Sequence, residues 1–176
     1  MMRSLRIHRA LILASLSALL LILGGCTVSY QLNGASIDYT KIKTINISDF
    51  SNLAPNAYPP LAQKFSEDLK RRFQTRTRLV QTSQIGDLNI EGEIIGYDLT
   101  AEAVQADAFA ARTRLTMRIN VRYNNRVNED ESFEREFSSY ATFDSSSMFT
   151  DVQDALVEEL TEDLINQIFN ATVENW

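Results

Sequence analysis

The sequence predicts an α+β fold: a two-layer sandwich with two helices packed on one face of a mixed four-stranded sheet. Three observations predict it. Between residues 112 and 126, Leu115, Met117, Ile119, Val121 and Tyr123 alternate with polar residues, the period of a strand buried on one side. Leu61, Phe65, Leu69 and Phe73 recur every fourth residue, as do Val152, Leu156, Leu160, Leu164 and Ile168, giving two helices with one apolar stripe each. One lined sheet face and two stripes bury each other most economically as two layers, leaving the other sheet face uncovered.

Each element follows from local pattern. Ile37, Tyr39, Ile45 and Ile47 share one phase, which places a first strand over 41–50. Residues 51–60 hold all three prolines, and Pro60 suits the first turn of a helix because its missing N–H has no partner there in any case. Lys70, Arg71, Arg72 and Arg76 lie in the second half of that helix, where cations suit the dipole. Residues 78–82 make at most a short strand. In 87–100, Leu88, Ile90 and Ile94 share one phase and Ile95, Tyr97 and Leu99 the other, so a bulge or twist is expected near Gly92 and Gly96. The Ala-rich stretch 101–111 reads as a long hairpin loop. After the polar turn 124–130, Phe133, Phe137, Ala141 and Phe143 share a phase opposite Glu134, Glu136, Ser138 and Tyr140. Thr150 and Gln153 have the spacing of a capping box at the start of the last helix. The outer face of that helix carries Asp151, Asp154, Glu158, Glu159, Glu162 and Asp163, an acidic solvated surface. The strand–helix–strand order suggests a βαβ crossover, followed by a meander.

The polar phase of 112–126 supplies the candidate site. Arg112, Arg114, Arg118, Arg122 and Arg126 all have even numbers and line one face. Guanidinium forks suit phosphate or carboxylate, so Arg112, Arg114, Arg118 and Arg122 are the candidate ligand-binding residues for an anionic group. The competing reading is cross-strand pairing with Glu134 and Glu136. Two glutamates do not neutralise five arginines, which predicts residual positive potential.

The first 26 residues predict an address. Arg3, Arg6 and Arg9 precede an apolar run, and Leu23-Gly24-Gly25-Cys26 ends it. A basic start, an apolar stretch and small residues before a cut site make a secretory signal. Small residues directly before a cysteine resemble the lipobox of bacterial lipoproteins, which implies a signal over 1–25, lipid on Cys26, a tether over 26–36 and one domain over 37–176. Thr27 after the cysteine implies outer-membrane delivery, with the domain facing the periplasm. Loss of Arg3, Arg6 and Arg9 with the signal takes the formal charge from −6 to −9. Such an acidic chain has no electrostatic reason to bind nucleic acid. His8 and Cys26 are the only histidine and cysteine, so the mature chain lacks Ser-His-Asp, Cys-His and histidine-metal chemistry. Adjacent acids such as Glu158 and Glu159 diverge around a helix and make no catalytic dyad. No catalytic residue, metal site or cofactor is expected, and the protein reads as a non-enzyme.

Several stretches together resemble a known family. These are the lipobox, Thr44-Ile45-Asn46-Ile47-Ser48-Asp49-Phe50-Ser51-Asn52 before the proline loop, Leu61-Ala62-Gln63-Lys64-Phe65 opening a helix, and Gly86-Asp87-Leu88-Asn89-Ile90-Glu91-Gly92-Glu93-Ile94 opening a strand. This pattern resembles the lipopolysaccharide-assembly outer-membrane lipoproteins of LptE type, in a divergent form. The resemblance implies two helices on a mixed four-stranded sheet, an outer-membrane β-barrel translocon as partner, lipopolysaccharide as cargo, a membrane anchor through the N-terminal lipid, and no catalysis. No basic motif aligns, so the resemblance transfers no ligand residue. The same pattern also resembles periplasmic lipoproteins that scaffold or regulate other cell-envelope complexes, and that alternative stays open.

Overall fold

The computed structural model describes residues 37–55, 58–102 and 111–173. The signal, Cys26, the tether and the centre of the predicted 101–111 loop lie outside the described residues. The elements run β1 (Thr44–Ile47), β2 (Ser51–Asn52), α1 (Leu61–Arg76), β3 (Val80–Gln81), β4 (Leu88–Glu102), β5 (Arg112–Asn125), a short 3-10 turn (Glu129–Glu131), β6 (Phe133–Asp144) and α2 (Phe149–Val173).

The predicted class holds: two helices and an open mixed sheet. The sheet has order β3-β1-β4-β5-β6, with β2 also beside β4, so it exceeds the four strands expected. The reason is local. The strand expected over 41–50 is cut short by Ser48–Phe50, and its continuation β2 pairs with β4 as a separate two-residue piece. β3 is equally short and parallel to β1, completing the β1–α1–β3 crossover. β4, β5 and β6 form the antiparallel meander.

The predicted core is the observed one. Leu61, Phe65, Leu69 and Phe73 are fully buried, and so are Leu115, Met117, Ile119 and Val121. Leu156, Leu160, Leu164 and Ile168 pack with them in one cluster. Phe73 of α1 meets Phe169 of α2 with ring centres 5.0 Å apart, and Phe50 meets Phe65 at 5.1 Å. Gly92 exists to admit Phe50: a Cβ there would stand 2.4 Å from the Phe50 ring and 2.6 Å from the Asn120 carbonyl oxygen.

Three local expectations are corrected. β4 continues through Ala101 and Glu102, which the sequence assigned to a loop, because both pair with β5. The capping box does not form. α2 already includes Phe149, which puts Thr150 inside the helix, and Gln153 donates to the Tyr97 hydroxyl of β4 at 2.9 Å. The helical spacing also places Ala155 beside the apolar stripe of the last helix as a widening residue, but it is exposed. The phase change in β4 is real. The register with β5 slips between Ile94 and Gly96, so Ile95 is the extra residue of a bulge, and Ile94 and Tyr97 both face the core.

Candidate functional site

The helices cover one face of the sheet, and the opposite face of β4, β5 and β6 is a field of charge. The two-residue period of β5 sends Arg112, Arg114, Arg118 and Arg122 to that face because its alternate residues are sealed in the core. The structure therefore brings the four candidate arginines together in one row. Each of three central contacts joins neighbouring strands. Arg114 forms an ion pair with Glu102 of β4, its Nε donating at 2.9 Å, and lies over the ring of Tyr140 of β6 at 4.2 Å. Arg118 reaches Asp98 of β4 at 3.3 Å and Glu136 of β6 at 3.8 Å. Arg122 pairs with Glu91 of β4 and, at 3.4 Å, with Glu134 of β6. Arg112 stands opposite Glu102 and Asp144 in register.

Residual positive potential, expected from five arginines against two glutamates, is not what the face carries. β4 contributes Glu91, Glu93, Asp98 and Glu102, and β6 contributes Glu134, Glu136 and Asp144, so seven carboxylates share the face with five guanidiniums. The sequence contained the signal. Once the bulge moves Tyr97 into the core, Asp98 and Glu102 must fall on the same side as Glu91. The predicted pairing partners Glu134 and Glu136 were identified, but their counterparts on β4 were not.

The contacts change how tightly protons are held. Hydrogen bonds from Asn120 first, then Arg122, keep the Glu134 carboxyl below the usual carboxylate range. Glu91 first, then Glu134, strengthen the hold of Arg122 on its proton. The arginine side chains are between 40% and 56% exposed, so the pairs are wet and individually weak. Such pairs can exchange one carboxylate for another anion without burying a bare charge. Among the described residues, no three metal-ligating side chains converge.

Comparison with curated proteins returns no match. Solved structures similar to it include uncharacterized lipoprotein B from Nitrosomonas europaea, with 16% identity, 72% of this chain and 79% of that chain covered, and a TM-score of 0.48. A minor lipoprotein from Acinetobacter baumannii shows 10% identity over 72% of this chain and 89% of that chain, with a TM-score of 0.47. A hypothetical protein from Chlamydia trachomatis shows 12% identity over 76% of this chain and 99% of that chain, with a TM-score of 0.49. Residues 42–172 match the family described as Lipopolysaccharide-assembly, LptE, a span from two residues before β1 to the last turn of α2. With that match covering about three quarters of its length, the chain belongs to the LptE family of lipopolysaccharide-assembly proteins.

Proposed function

We propose that the protein is a non-catalytic outer-membrane lipoprotein that plugs a lipopolysaccharide-translocating β-barrel and assists delivery of lipopolysaccharide to the outer leaflet. Family membership supports a role in lipopolysaccharide assembly. The observation that favours a plug is the open sheet face. The lumen of a large outer-membrane barrel is polar. A body lodged in it needs a surface that is charged and hydrogen-bonding. Arg114, Arg118 and Arg122, each tied to carboxylates on neighbouring strands, form such a surface. In this reading Arg112, Arg114, Arg118 and Arg122 trade part of their pairing for anionic groups of lipopolysaccharide or of the barrel wall. Lipid on Cys26 holds the domain on the periplasmic side of the outer membrane. The tether 26–36 spans at most about 35–40 Å when extended, which keeps the domain beside the bilayer.

The test is a pull-down of the full-length protein from detergent-solubilised envelopes, read by mass spectrometry. A single large β-barrel recovered in equal amount is expected. Recovery of a different envelope complex without such a barrel would reject the plug and favour a scaffold role.

A further inference from the structure

Among the described residues the sheet ends in an open edge at β6, which pairs with β5 on one side and with no strand on the other. Its 12 residues contain no proline. In an antiparallel ladder the N–H and C=O of one residue point the same way, so alternate residues serve opposite sides. Ser145 continues the β5–β6 register and donates to the Ala111 carbonyl at 3.0 Å, which turns odd-numbered residues toward β5. Even-numbered residues therefore point outward. Two contacts agree: the Asp144 carbonyl accepts from the Ser147 N–H at 2.9 Å, and the Ser138 carbonyl accepts from the Gln167 side chain of α2 at 3.2 Å. Among the described residues, the outward main-chain groups of Glu134, Glu136, Tyr140 and Thr142 have no partner.

An edge of this length is a template for another strand, and the charges beside it decide which strand fits. Glu134, Glu136 and Asp144 stand on the open face. On the helix side Asp163 accepts from the Ser139 hydroxyl at 2.6 Å, with Glu159 one turn before it on the same face of α2. Arg135 is the only cation of β6, it lies over the rings of Phe133 and Phe137 at 5.0 and 4.6 Å, and no Lys or Arg follows it in the sequence. A second copy is the wrong guest. Pairing about an axis near Ser138 would bring Asp163 toward its own counterpart. Moving the axis toward Phe133 sets the glutamates of the two copies opposite each other, and moving it toward Asp144 sets a glutamate against Asp144. Like charges directly opposite destabilise a sheet. A cationic strand meets no such repulsion. The pairs of Glu134 with Arg122 at 3.4 Å and of Glu136 with Arg118 at 3.8 Å are about half exposed, so a guest cation can share these carboxylates without opening a buried pair.

We infer that β6 accepts an extended, basic segment of a partner polypeptide as an added strand. Main-chain hydrogen bonds hold the guest, and Glu134, Glu136 and Asp163 select its charge. Gln167 occupies the Ser138 acceptor until the guest arrives. Strand addition here is independent of the plug role: a failed barrel pull-down leaves it intact, and failed peptide binding leaves the plug intact.

Fluorescence anisotropy of a labelled peptide of four Lys-Val repeats, titrated with the full-length protein in detergent, tests this. Binding is expected, at least about tenfold tighter than that of a Glu-Val peptide of the same length, and weaker as salt rises. N-methylation of alternate main-chain nitrogens keeps the peptide's charge and removes its donors to the edge, so a loss of about tenfold or more is expected. Ser138→Pro removes one outward N–H that the β5–β6 ladder does not use, a position where an edge strand tolerates proline. It should weaken the peptide about tenfold at an unchanged melting temperature. Gln167→Ala frees the Ser138 carbonyl without touching the strand and should tighten binding about twofold or more, which keeps the test decisive if the proline variant misfolds. No binding, equal affinity for the Glu-Val or the N-methylated peptide, or binding indifferent to both variants overturns strand addition. Sedimentation of the free protein as a dimer that Ser138→Pro dissolves would assign the edge to a second copy and overturn it as well.

Discussion

The guanidinium of Arg118 folds over Gly96, its Nε only 2.6 Å from where a Cβ at that position would stand. Arg118 and Gly96 are opposite each other across β5 and β4, and the bulge at Ile95 creates that pairing. Gly96→Ala would push a flexible side chain aside and loosen its contacts to Asp98 and Glu136. The expected cost is below about 1 kcal/mol, the scale of exposed ion pairs. Gly92→Ala meets the Phe50 ring and a main-chain oxygen instead, and overpacking of that kind costs about 1–3 kcal/mol. Thermal melts of the two variants should differ, with Gly92→Ala clearly lower. Equal melting temperatures would contradict the packing described.

Adjacent residues of α2 should respond in opposite directions. Leu160 is 1% exposed, and Leu160→Ala is expected to cost about 2–5 kcal/mol through the lost burial and the cavity left behind. Thr161 is 2% exposed, and among the described residues its hydroxyl has no partner. Thr161→Val keeps the shape and removes the orphan group, so a gain of about 1 kcal/mol is expected. Chemical denaturation of both variants checks the pair.

Asp87 sets an acid limit on stability. The main-chain N–H groups of Lys43 and then Thr44 donate to its carboxylate, both at 2.9 Å, and hold its pKa below the usual 3.8. A carboxyl whose folded pKa is depressed contributes fully above its unfolded value and loses that contribution as pH falls through the folded one. Asp87→Asn should therefore lower the melting temperature at neutral pH and flatten its decline below about pH 4. An unchanged acid limb would assign that decline to other groups.

Legibility in the sequence followed the range of the interactions. The α1 stripe and the apolar phase of β5 are local periodicities, and both were readable to the residue. β2 exists only because β4 pairs with its two residues, and so short a run has no period to read, whereas β3 falls inside the short strand expected over 78–82. Gln153 belonged to a plausible local cap, yet a hydroxyl 56 positions away claims it. The arginine row was visible from spacing, but its carboxylate partners on β4 required knowing where the bulge inverts the strand.

The arginine row yields a test that separates bracing from binding. Arg118→Ala combined with Arg122→Ala removes contacts to Asp98, Glu136, Glu91 and Glu134. These exposed pairs are worth only about 0.2–1 kcal/mol each, so a small drop in melting temperature is expected. Weakened lipopolysaccharide binding in a folded double variant supports the ligand role. Full binding retires it.

Cys26→Ala tests the anchor. Lipid contributes about 0.8 kcal/mol per buried methylene, so its removal should release the protein from the outer membrane into the soluble envelope fraction. Retention in the membrane at unchanged mass would reject lipidation at this residue.

The extra residue at Ile95 makes β4 sensitive to its own length. Strands count sides by parity: Ile94 and Tyr97 both face the core only because the bulge absorbs Ile95, so removing Ile95 alone would restore plain alternation and leave Tyr97, Asp98 and Glu102 on their present sides. Removing both Ile95 and Gly96 would turn Tyr97 outward and swing Asp98 and Glu102 beneath the helices. Insertions and deletions in this segment are therefore filtered by whether their number is odd or even, whereas substitutions are filtered by size. The arrangement of charge on the exposed face is thus inherited as a matter of spacing, and a lineage that kept every carboxylate while dropping both Ile95 and Gly96 would still lose it.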